Sequence, residues 1–70
     1  MENLKIGTKV KLTKTAKNET YSDMSWKNLQ MIITHRENDG EGMGYIYSFD
    51  ALNSSEEITF RMYGYELELI

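Results

Sequence analysis

Seventy residues with no cysteine, no proline, a single histidine and a formal net charge of −3 make one small domain, residues 1–70, without a disulfide or a cluster of metal ligands to staple it. A domain of this size buries only about 60% of its unfolded surface, so apolar packing alone must supply a net stability of roughly 4–10 kcal/mol. The longest apolar run, Met31-Ile-Ile33, excludes a membrane-spanning helix, and Met1-Glu-Asn-Leu-Lys-Ile-Gly7 lacks the apolar stretch of a secretory signal; the expectation is a cytoplasmic protein with no membrane contact.

The dominant period along the chain is two. Ile6, Thr8, Val10 and Leu12 alternate with Gly7, Lys9, Lys11 and Thr13, which predicts a first strand with one wet face. A long connection, roughly Thr15 to Asn28, follows. Within it Ser22 is placed to cap one helical turn over Asp23 to Trp26. Leu29 to His35 is apolar on both faces and reads as a central strand. Glu37-Asn-Asp-Gly-Glu-Gly42 carries an Asp-Gly pair, a strong hairpin signal. Met43, Tyr45, Tyr47 and Phe49 then alternate as a third strand. Asn53-Ser-Ser55 marks a turn whose side-chain oxygens can bond nearby amides. Ile58, Phe60 and Met62 form the fourth strand, Gly64 a sharp corner that positive φ would serve, and Tyr65, Leu67 and Leu69 the fifth.

A helical period of useful length is missing. The predicted fold is therefore all-β: a small five-stranded barrel with a long first loop and at most one short helical turn, its closure hiding the strand edges.

Charge divides unevenly along this plan. Residues 1–36 carry net +4 and residues 37–70 net −7, so the folded domain is expected to have a basic and an acidic side, or two solvated faces that balance when the halves pair.

The opening Ile6-Gly-Thr-Lys-Val-Lys-Leu12, the hydrophobic second strand after a Trp-containing loop, and the closing Tyr63-Gly-Tyr-Glu-Leu-Glu-Leu69 resemble SH3-like barrels. More narrowly, they resemble small SH3-like accessory proteins of bacteriophages and prophages, in which a hydrophobic-Gly-x-x-Val strand and a Glu-Leu-Glu strand bracket the barrel. The resemblance implies a phage- or prophage-encoded protein that docks on a host or phage protein. The Ala-Leu-Tyr-Asp-Tyr stretch and paired tryptophans of proline-peptide-binding SH3 domains are missing; Phe49-Asp-Ala-Leu52 matches in neither order nor position. KOW-type relatives usually have a glycine entering the second strand, where Asn28 stands.

The residues offer little for catalysis. His35 is the one histidine, and nothing in the sequence sets Ser22, Ser25, Ser48, Ser54 or Ser55 beside it. Glu66 and Glu68 would share a strand face about 7 Å apart, and Glu56-Glu57 is a second acidic pair; both read first as charged surface. Asn38, Asp39 and Glu41 lack the later ligands of a calcium loop. The expectation is a non-catalytic binding module with no cofactor and no metal site.

Aromatic residues carry the binding reading. Tyr21, Trp26, Tyr47 and Tyr63 are the expected protein contacts. Trp26 either plugs an open barrel end or stands out as an anchor. The alternative is a nucleic-acid-binding SH3- or KOW-like module using Lys9, Lys11 and Lys27 with Trp26, against which stands the acidic balance of the whole chain. A third reading is a homo-oligomer formed through edge strands or an apolar patch.

Overall fold

A computed structural model of the chain describes residues 4–38, 44–52 and 54–70. They form β1 (Lys9–Leu12), β2 (Met31–Asn38), β3 (Tyr45–Ala51), β4 (Met62–Tyr63) and β5 (Leu67–Leu69), all in one sheet with the order β4-β3-β2-β1-β5. Every neighbouring pair is antiparallel. The five expected strands and the central place of the second are all present. Closure is not: the sheet is open, with β4 and β5 at its edges. No helix of the described residues is long and apolar enough to cross a membrane.

The sheet has one buried side. Val10 and Leu12 from β1, Met31 and Ile33 from β2, Tyr47 and Phe49 from β3, Met62 from β4 and Leu67 from β5 are all buried there. β1, β2 and β3 thus each contribute alternate residues, as the period of two requires, while β4 and β5 contribute one each, and Leu69 at the edge is 52% exposed. Leu4 and Ala16 complete the core from outside the strands.

Local chemistry moved several boundaries. Gly7 has φ +94° and turns the chain just before β1, so Ile6 falls out of the alternation and is 61% exposed. An alanine at position 7 would meet nothing within 4 Å, so its cost is backbone strain alone. Gly7→Ala is expected to lose about 1–2 kcal/mol, read as a lower midpoint with an unchanged m-value in urea unfolding.

β2 pairs with β3 from Met31↔Ala51 to Asn38↔Tyr45, and its register shifts between Ile33 and His35. Thr34 is the extra residue of this bulge. An extra residue reverses the alternation beyond it. Arg36 rather than His35 therefore comes opposite buried Tyr47, and His35 is carried outward and exposed. Arg36 donates from Nη1 to the Leu4 carbonyl at 3.4 Å and lies over the Tyr45 ring at 5.0 Å. The Asp39-Gly40 turn lies outside the described residues.

The fourth strand is shorter than the alternation of Ile58, Phe60 and Met62 predicts. The register Ile46↔Tyr63 and Tyr47↔Met62, carried on, would set Phe60 against Phe49. Their rings do lie 6.3 Å apart, but Phe60 stacks on Trp26 at 4.1 Å, and the chain before Met62 leaves the ladder. Of the Asn53–Ser55 turn, Asn53 lies outside the described residues, while the Glu56 amide donates to Ser54 Oγ at 3.1 Å, as the turn chemistry predicts.

Three short helical segments replace the expected single turn. A π-helical turn spans Ala16–Thr20; its i→i+5 bond runs from the Tyr21 amide to the Ala16 carbonyl at 2.8 Å. A 3₁₀ turn spans Ser25–Asn28, preceded by Met24 with no side-chain cap. Ser22 caps nothing; its carbonyl accepts from Lys27 Nζ at 2.8 Å. The third, Gly64–Glu66, is a 3₁₀ turn. Gly64 does make the corner, but without positive φ, which among described glycines belongs to Gly7 and Gly44.

Candidate functional site

The corner between β4 and β5 gathers three tyrosines. The 3₁₀ turn at Gly64–Glu66 brings the Tyr65 ring onto Tyr63, with centroids 5.8 Å apart and planes 13° from parallel. Tyr65 is 61% exposed, and Tyr63 is half-buried. The first loop folds against this corner: the Tyr21 hydroxyl donates to Glu66 Oε1 at 2.8 Å. On its other side Tyr21 meets Trp26 at 5.1 Å.

That hydrogen bond has an electrostatic signature. Burial, then the Glu66 hydrogen bond and charge, then a smaller effect of Tyr65 push the Tyr21 phenol from its ordinary 10.0 up to about 12. The folded value lies above the unfolded one, so the contact contributes fully below about pH 10 and is lost as pH rises through about 12. A stability profile against pH is expected to fall more steeply across that window in the native protein than in Tyr21→Phe.

Three of the four predicted protein contacts, Tyr21, Trp26 and Tyr63, therefore belong to connected aromatic groups. Tyr47 does not. It is 1% exposed, and its hydroxyl accepts from the Leu4 amide at 2.9 Å, so it is a core residue. The reason is its place at the middle of β3, with β2 on one side and β4 on the other. Trp26 is half-buried, stacked on Phe60 at 24° between planes; it holds the first loop on the core rather than projecting from it.

Sequence reasoning missed Tyr65 as a surface group, because alternation with Leu67 and Leu69 points it inward. A signal was available: Tyr63-Gly-Tyr65 sets two rings two residues apart across a glycine corner, and in the fold they stack.

The lysines divide. Lys11 and Lys27 meet with Lys17 around a small cleft of about 70 Å³ completed by Leu12, Asn28 and Gln30. Lys9 lies further along β1 and is exposed. Lys17 was not among the expected contacts; the helical turn at Ala16–Thr20 brings it in.

The other chemical candidates are dispersed. Among the described residues His35 has Thr34 Oγ1 near its Nδ1, at 3.2 Å. Glu66 and Glu68 do not share a strand face: Glu66 belongs to the corner turn, and Glu68 sits in β5 opposite Lys11. Glu56 and Glu57 border a shallow depression with Asp50. Among the described residues, no three histidine, cysteine, aspartate or glutamate side chains are grouped to hold a metal ion.

Comparison with protein-family models, curated proteins and solved structures finds no match for this chain.

Proposed function

We propose that the chain is a non-catalytic, SH3-like binding module, a phage or prophage accessory protein, that docks on another protein through its tyrosine corner. The observation that carries this reading is Tyr65, 61% exposed yet held in a stack with Tyr63 at 5.8 Å. An aromatic ring that is exposed but already ordered loses little conformational freedom on binding, and tyrosine is among the residues that dominate protein interfaces. In support of the SH3-like reading, β1 and β5 lie side by side from Val10↔Leu69 to Leu12↔Leu67, so the opening and closing motifs are neighbours.

The acidic second half of the chain, net −7 over residues 37–70, favours a partner segment with an apolar anchor flanked by basic groups. Affinity capture from bacterial lysate tests the proposal. A protein retained by the native chain should be lost, by a factor of about tenfold or more, with Tyr65→Ala, whose exposed ring leaves the fold intact. Equal retention by Tyr65→Ala, or nothing above background with excess bait, overturns it.

A further inference from the structure

The fold concentrates positive charge where the chain as a whole is acidic. Lys11 from β1, Lys17 from the turn at Ala16–Thr20 and Lys27 from the turn at Ser25–Asn28 line one cleft of about 70 Å³, and among the described residues no carboxylate lines it with them. Among the described residues the one ion pair within 4.0 Å is Arg61–Glu37, elsewhere on the surface. The nearest acid by register is Glu68, opposite Lys11 on β5. Lys27 Nζ is anchored on the Ser22 carbonyl at 2.8 Å, which fixes the ammonium and leaves two of its three donors for a ligand. The side-chain amides of Asn28 and Gln30 add neutral donors at the rim.

We infer that this cleft binds a phosphate group. Like charges held together by the fold repel one another, and an anion placed among them relieves that repulsion. Phosphate suits the arrangement because its oxygens can accept from several donors at once. The ligand is read by its phosphate and not by a base: Phe60 is stacked on Trp26 at 4.1 Å and Tyr21 flanks it at 5.1 Å, so the tryptophan is already occupied. Lys9 precedes Lys11 on the same side of β1, about 7 Å away. A ligand with more than one phosphate therefore gains a further contact. This site is separate from the tyrosine corner, and its test is independent of that reading.

The experiment is a titration of the full chain with inorganic phosphate, tripolyphosphate and oligothymidylate at constant ionic strength, followed by amide chemical shifts. Saturable shifts are expected at Lys11, Lys17, Lys27, Asn28 and Gln30, with tripolyphosphate bound more tightly than phosphate. Lys11→Gln combined with Lys17→Gln should weaken binding about tenfold or more at an unchanged melting temperature; Lys17→Gln alone, weakening it by a smaller factor, serves if the pair unfolds. Oligothymidylate binding tighter than tripolyphosphate, and falling steeply with salt, identifies a nucleic-acid backbone as the source. The reverse order identifies a free phosphate compound, and either order supports the site. Shifts that never saturate, that spread equally to Lys5 and Lys14, or that survive in the variants overturn it.

Discussion

Replacing Tyr47 with alanine is expected to remove about 3–5 kcal/mol, a large part of the roughly 4–10 kcal/mol available to a domain of this length. The side chain is the largest of the fully buried ones, at 1% exposure. Its loss opens a cavity between Leu4, Met62 and the β2 face that short strands pinned on both sides cannot collapse to fill. The same substitution also strands the Leu4 amide, which donates to the Tyr47 hydroxyl at 2.9 Å. Tyr47→Phe separates the two effects: it keeps the ring and leaves the buried donor unpaired, at about 1–3 kcal/mol. Thermal unfolding should show the order native, Phe, Ala, with each kcal/mol worth about 4–8 °C. An alanine variant melting within a few degrees of the native protein would mean that the ring is not in the core.

The second large effect is expected at Trp26. Its ring joins the first loop to the body of the protein, stacked on Phe60 at 4.1 Å with Tyr21 at 5.1 Å. Trp26→Ala should cost about 2–3 kcal/mol, below the full core value because the ring is half-buried. About 0.5–1.5 kcal/mol of that belongs to the aromatic pair itself. A double-mutant cycle with Phe60→Leu measures this coupling directly. Additive single and double variants would mean the two rings lie side by side without supporting each other. Because Trp26→Ala removes the stacking partner of Phe60, it should also speed amide exchange in residues 58–61 through easier local opening.

Much of the sheet was legible because burial on one face leaves a period of two in the residues. Val10 with Leu12, Met31 with Ile33, and Tyr47 with Phe49 all point inward as alternation requires. Three of the misplacements share one cause, a local event that resets the count. Gly7 turns the chain and exposes Ile6; the bulge at Thr34 exchanges the sides of His35 and Arg36; the 3₁₀ turn at Gly64–Glu66 takes Tyr65 and Glu66 out of the last strand. None of these changes composition or spacing, so periodicity cannot register them.

The candidate sites were legible as residue types and less so as places. Tyrosine, tryptophan and lysine are the residue types on which the binding expectation rests, but Tyr47 belongs to the core and Tyr65 to the surface. Lys17 joins the cleft because Ala16–Thr20 is helical, and a five-residue turn has too short a pattern to be read against coil.

Residue order alone was enough to establish a β domain of five strands with its second strand central, since alternate apolar residues can be buried together only on the face of a sheet. Tertiary packing decided that the sheet stays open, that Tyr21, Tyr63 and Tyr65 gather at one corner and that Lys11, Lys17 and Lys27 gather at one cleft. Those outcomes depend on contacts between residues far apart in the chain, Trp26 with Phe60 and Tyr21 with Glu66, whose geometry exists only once the strands have met.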